Sequence, residues 1–157
     1  MHPKVLTVLK QASITYQEIR HDSFNVSITS PIDFANALNY SLDRITKSIF
    51  LRSKSKDKYI MAVCSISKKL NFDKLSKLAK VTKLEVADKQ ELANKVGYPT
   101  NGVCCIGVPL DMEVFIDDSL LTFQTVLIGS GEAAVEIELS PTDLTAISKA
   151  TLANITL

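Results

Sequence analysis

Histidine is nearly absent from this chain: His2 and His21 are the only two in 157 residues. That removes most metal centres, because a zinc site would have to be completed by carboxylates, and no metal-ligand spacing occurs. No cofactor is expected either. There are three cysteines, Cys64, Cys104 and Cys105. An odd number with two adjacent members is not a disulfide framework and fits a reducing cytosol. Five glycines and five prolines are too few for a fibrous or low-complexity chain. Neither GxGxxG nor GxxxxGK[ST] is present, so no nucleotide-phosphate cradle is indicated. No apolar run approaches the ~20 residues of a membrane helix. Met1-His2-Pro3-Lys4-Val5-Leu6 has no signal-peptide character, so a cytoplasmic protein without a membrane partner is expected.

What is present suits one folded domain spanning residues 1–157, with 46% apolar residues. Charge is unevenly spread. Residues 44–83 hold twelve Lys/Arg against Asp57 and Asp73, a net +10, whereas residues 111–157 hold eight acids against Lys149, a net −7. The basic stretch is a candidate surface for a phosphate backbone. A solvated hairpin and helix face would carry the same charge.

Periodicity gives the elements. Val5, Leu6, Val8, Leu9 and Ala12 repeat at helical spacing, and Thr15–Arg20 alternates as a strand. Ser30-Pro31-Ile32-Asp33 reads as a cap, a first-turn proline and an acid at the positive end of a helix. Lys47–Leu51 and Tyr59–Ser65 flank a charged hairpin. Asn71 caps a helix that places Phe72, Leu75, Leu78 and Ala79 inward and Lys74, Lys77 and Lys80 on another face. Leu84–Val86 is a short strand, and Asp88 opens a helix that Gly97 ends. Strands are expected at Gly102–Gly107, Glu113–Asp117, Gln124–Ile128 and Val135–Leu139. Ser140-Pro141-Thr142-Asp143 starts a last helix, and Asn154–Leu157 returns as a strand. Helices interrupt strands without strict βαβ alternation. The expected fold is therefore α+β, with a mixed, partly barrel-like sheet flanked by helices.

The usual catalytic sets are thin. A Cys–His pair would have to join His21 to Cys104 or Cys105, and buried thiols serve equally well as small apolar fillers. Asp117-Asp118 suggests magnesium, or a strand end that caps the Ser119-Leu120-Leu121 segment. Lys47 remains, at the mouth of an apolar strand, with two glycine-containing loops, 97–107 and 128–131. A lysine can hold a phosphate or an electron-rich oxygen as a point charge. Backbone amides of a glycine turn can stabilise charge on a carbonyl oxygen during acyl transfer.

In order and spacing, these pieces resemble the YbaK / prolyl-tRNA synthetase-associated domain family of aminoacyl-tRNA deacylases. The carriers are Arg20-His21-Asp22, Lys47, Lys69-Leu70-Asn71-Phe72-Asp73-Lys74-Leu75, Gly97-Tyr98 leading to Gly102 and Gly107, Phe115-Ile116-Asp117, Gly129-Ser130-Gly131, and Glu136-Ile137-Glu138-Leu139. The resemblance implies a free-standing, trans-editing hydrolase that supports translation fidelity. Its partner is the aminoacylated 3′ end of a tRNA, by analogy tRNA-Pro carrying a small non-cognate amino acid such as Cys or Ala. Prolyl-tRNA synthetase is a further implied partner. It implies that Lys47 and the Gly102 amide act on the ester, with Asn101, Val103, Cys104, Cys105, Gly129, Ser130, Gly131, Glu136 and His21 around the substrate. The attacking group would be the terminal ribose hydroxyl, a substrate thiol or water. The family's GxxxP loop falls on Asn101-Gly102-Val103-Cys104-Cys105, where Asn101 replaces the first glycine and Cys105 the proline. Asn tolerates a left-handed backbone, so the turn is expected to survive. Ile19 stands where some relatives carry tyrosine, and Glu136 where some carry aspartate. A family member that binds tRNA or a protein without catalysis is the alternative.

Overall fold

The computed structural model describes all of residues 1–157 and contains two sheets rather than one. The first is antiparallel, in the order β1 (Tyr16–Arg20), β7 (Val135–Leu139), β6 (Val126–Gly129). The second is mixed, in the order β4 (Leu84–Val86), β2 (Thr46–Ser53), β3 (Tyr59–Ser65), β5 (Glu113–Asp117), β8 (Thr151–Ala153). In it β2 is antiparallel to β3 and β4, whereas β5 is parallel to β3 and β8. The sheets meet where Ile45 bridges Leu127 and the Thr46 hydroxyl donates to the Leu127 carbonyl at 2.9 Å. There is no closed barrel. The expected partial barrel is these two sheets touching at one corner.

Five helices flank them: α1 (Pro3–Ala12), α2 (Pro31–Leu38), α3 (Phe72–Ala79), α4 (Lys89–Lys95) and α5 (Pro141–Ser148). The caps are the ones the sequence announces. Ser30 and Asp33 form a reciprocal capping box, and Asn71, Asp88 and Ser140 each accept from a first-turn amide. Each such cap is worth about 1 kcal/mol. None of the helices is long and apolar enough to cross a membrane.

The alternation of β2 and β3 divides the core. Phe50, Met61 and Val63 face a large cluster shared with α1 and α5, through Val5, Leu9 and Leu144. Leu51, Ile60, Ala62 and Cys64 face a second cluster with Leu75 and Ala79 of α3. A third cluster, Ile19, Phe34, Ile45 and Leu127, fills the corner where the two sheets meet.

Four expectations need correcting. Phe72 and Leu78 of α3 are exposed rather than inward, because this short helix packs on the sheet through Leu75, Ser76 and Ala79. Gly102–Gly107 is not a strand. Cys104, Cys105 and Ile106 are buried, but they join no ladder, and the Ile106 carbonyl is satisfied by the Tyr98 hydroxyl at 2.6 Å. The last strand is Thr151–Ala153, and residues 154–157 supply only a bridge from Thr156 to Leu70. Asp117 does not cap the turn after β5 with its side chain. Its buried carboxylate accepts from the Ile155 amide at 3.0 Å and from the Ser119 hydroxyl, tying the C-terminal segment to the sheet.

Candidate functional site

A cavity of about 520 Å³ opens at the corner between the two sheets. Its apolar wall comes from Phe34, Ile45 and Leu127, with Ile28 and Ile66 beside them. Its polar side comes from the start of β2 (Thr46, Lys47, Ser48), from Thr100–Val103, and from Gly129, His21 and Glu136. An apolar floor with a few convergent polar groups is the usual form of a small-ligand site.

Two backbone loops approach each other here without side chains between them. The Gly131 amide donates to the Gly102 carbonyl at 2.7 Å. A Cβ on Gly129 would sit 2.2 Å from the Val103 carbonyl oxygen, and one on Gly102 would sit 2.8 Å from the Glu132 backbone. Both glycines are therefore required by closeness of approach. Gly131 has φ of +80° and leans on His2 and Tyr98. The Ser130 side chain is buried, and its hydroxyl closes the turn by donating to the Glu132 carbonyl and accepting from the Glu132 amide.

The amides of this loop are not equivalent. The Gly102 N–H donates to the Pro99 carbonyl at 3.1 Å, whereas those of Thr100, Asn101 and Val103 have no acceptor in the protein. The Gly102 N–H is thus engaged within the loop, and the turn it closes fixes the loop that carries the free amides. Asn101 is not left-handed, so its tolerance of that conformation is not what preserves the loop.

Lys47 lines the cavity and makes no ion pair. It pairs with Cys64 across the β2–β3 ladder, so its side chain leaves the strand on the α3 side. Opposite, His21 Nε2 lies 2.7 Å from Glu136 Oε2. When Glu136 is ionised it accepts, so Nε2 carries the proton. Burial raises the Glu136 carboxyl above its ordinary value, and His21 opposes part of that rise. The His21 ring also meets Phe34 edge-on, with centroids 4.5 Å apart.

Seven of the residues named from sequence line this cavity: Lys47, His21, Asn101, Gly102, Val103, Gly129 and Glu136. Four do not. Ser130 and Gly131 lie behind the wall as supports, and Cys104 and Cys105 belong to the large core cluster. Burial pushes the Cys104 thiol up to about 12 and the Cys105 thiol well above its ordinary value, so neither is a thiolate near neutral pH. A Cys–His nucleophile has no place in this structure. The sequence reading missed the contribution of Thr29, Ser30, Pro31 and Phe34, where the first turn of α2 borders the cavity. The capping motif there marked a helix start, but nothing local to it says which sheet the helix faces. No group of three or more His, Cys, Asp or Glu is arranged to hold a metal ion.

A family model described as aminoacyl-tRNA editing domain matches residues 26–147, a span that includes Lys47, both loops and Glu136. The chain belongs to the aminoacyl-tRNA editing domain family. It is 32% identical over 125 residues to the uncharacterized protein YwhH of Bacillus subtilis (strain 168), covering 80% of this chain and 78% of that protein. It is 29% identical over 109 residues to a proline--tRNA ligase of Sulfurihydrogenibium sp. (strain YO3AOP1), covering 69% of this chain but 19% of the ligase. One solved structure, provisionally described as a trans-editing enzyme for prolyl tRNA synthetase, superposes with a TM-score of 0.81 over 100% of this chain and 99% of that one, at 18% identity. That likeness shows the fold.

Proposed function

We propose that this protein is an aminoacyl-tRNA deacylase that hydrolyses the ester of a tRNA-Pro carrying a small non-cognate amino acid, acting in trans. The observation that carries this reading is the cavity itself. It joins an unpaired lysine to a loop with unengaged amides; no thiol lines it, and none of its hydroxyls is hydrogen-bonded to His21.

The terminal adenosine and its ester enter between Lys47 and the Thr100–Val103 loop. Lys47 holds the electron-rich ribose and phosphate side as a point charge. The Asn101 and Val103 amides face the ester carbonyl and stabilise the oxyanion formed when water adds to it, an effect commonly of about 3 kcal/mol per donor. The carbon–oxygen bond to the ribose then breaks, the ribose oxygen takes a proton, and the amino acid leaves as the free acid. The ribose hydroxyl next to the ester is the nearest group able to orient the water. The Glu136 carboxylate, steadied by His21, takes the α-ammonium of the aminoacyl group. Phe34, Ile45 and Leu127 limit the side chain to a small one. A synthetase discriminates weakly between small side chains, which is why a second hydrolytic site is useful.

The tRNA-Pro assignment draws on the ligase relative and on the resemblance to prolyl-tRNA synthetase-associated domains. The test is hydrolysis of tRNA-Pro charged with cysteine, alanine, serine or proline. Turnover of a non-cognate species with prolyl-tRNA-Pro spared is the expected result. Tight binding of tRNA with no turnover of any species would replace this reading with that of a binding protein.

A further inference from the structure

The twelve cations of residues 44–83 sort into two sets. Arg44 pairs with Glu138, Arg52 with Glu85 and Glu91, Lys58 with Glu113, and Lys68 with Asp117. The remaining eight are all lysines, and none has a carboxylate within 4.0 Å. Charge that the fold uses is thus neutralised, and a surplus is left.

Six of these eight are on one side, whereas Lys56 lines a separate hollow with Tyr59 and Lys95. α3 starts where the Asn71 amide donates to the Ile155 carbonyl, and ends where Lys58 Nζ donates to the Ala79 carbonyl. It therefore runs antiparallel to β3, from the cavity end of the sheet to the β2–β3 hairpin. Leu75 and Ala79 pack on the sheet, which turns Lys74, Lys77 and Lys80 outward, all three exposed. Lys47 leaves β2 on this same side. At the hairpin end lies a second hollow, of about 610 Å³, lined by Lys54, Lys80 and Lys83 with Ser53, Ser55 and Thr82. Its one acid, Asp57, is held by the Ser53 and Ser55 hydroxyls. From Lys47 to Ser53 the strand spans about 20 Å. Lysines therefore mark a continuous path from the cavity mouth along α3 to this hollow.

We propose that the stem of the RNA lies along α3, with a backbone phosphate seated in the hollow between the hairpin and the α3–β4 turn. This rests on the editing reading for which end of the RNA enters the cavity. Contacts of this kind position a nucleic acid without reading its sequence. The opposite side of the sheet, covered by α1 and α5, takes no part.

The test uses two double variants, Lys74→Glu with Lys77→Glu and Lys54→Glu with Lys83→Glu. The control makes the same charge change elsewhere, with Lys10→Glu on α1 and Lys149→Glu directly after α5. Binding of uncharged tRNA is measured across a KCl series, and hydrolysis is measured on a 3′-aminoacyl adenosine that has no stem. Each double variant is expected to weaken tRNA binding by at least ~10-fold and to flatten the salt dependence, as loss of phosphate contacts does. The control should change little, and the stemless ester should be cleaved at the wild-type rate. Equal losses in variants and control, or no loss in either, would overturn the proposal. If no ester is cleaved by any protein, the editing reading fails, and the binding series still decides where RNA lies.

Discussion

The two ends of β2 solve the same problem in opposite ways. At the hairpin end, neighbouring elements are joined by side-chain charge: Arg52 pairs with Glu85 of β4 at 2.8 Å and with Glu91 of α4 at 3.0 Å. At the cavity end, five residues away, Lys47 pairs with nothing, and the joining is done by backbone. Ile45 bridges Leu127, Gly131 donates to Gly102, and Gly129 lies against Val103. Glycine performs there the structural task that ion pairs perform at the other end, and so leaves a cation over for a ligand. β7 repeats the contrast in carboxylates. Glu138 is engaged by Arg44, Tyr40 and Thr125, whereas Glu136, two residues earlier, meets only His21 and faces the cavity.

If backbone approach builds the cavity end, adding one methyl group there should do the most damage. Gly129→Ala forces its Cβ against the Val103 carbonyl, and displacement of packed backbone costs about 1–3 kcal/mol. A Tm lower by several degrees together with loss of deacylation is expected, and unchanged values for both would remove the glycine argument. At the other end, Arg52→Ala should lower the Tm by several degrees, because Glu85 and Glu91 lose their shared partner. Its kcat/KM per folded molecule should remain within about twofold of wild type.

The carboxylates of β7 allow a finer comparison. The Glu136 pKa is raised in the folded protein, so ionising it favours the unfolded chain. Below the ordinary value of 4.5 the carboxyl is protonated in both states and contributes nothing; as pH rises through the folded pKa a penalty develops. Glu136→Gln removes that penalty. Denaturant melts should show the variant gaining on wild type as pH rises from about 4 to 7, whereas Glu138→Gln should cost stability because it disturbs the bonds with Arg44, Tyr40 and Thr125. The smallest effect is expected from the thiols. Cys64 is also buried, and its thiol is pushed up to about 11. Iodoacetamide at neutral pH should therefore label no cysteine of the native protein, and Cys104→Ser should retain activity.

The helix caps and most strands were legible because they are local chemistry. Ser30 with Asp33, Asn71, Asp88 and Ser140 announce helix starts in three or four residues each. That Lys47, Gly129 and Glu136 line one cavity was legible only through the order and spacing of the whole pattern. The failures lie where tertiary contact overrides local pattern. Val103-Cys104-Cys105-Ile106 has the composition of a buried strand, but it is buried without a pairing partner. That the Gly102 amide is engaged by the Pro99 carbonyl is a contact that no sequence spacing reveals. The share of α2 in the cavity depends on how the two sheets meet, and that is set by contacts among Ile19, Phe34, Ile45 and Leu127, far apart in the chain.

The most direct test of the account is Lys47→Ala, compared with wild type in single-turnover hydrolysis of the misacylated tRNA-Pro that the wild type cleaves fastest. Removal of a half-buried but unpaired cation should leave the Tm within about 2 °C of wild type while lowering the hydrolysis rate by roughly 100-fold or more. Full activity in a folded Lys47→Ala protein would contradict the assignment of this cavity as the place where the ester is cleaved.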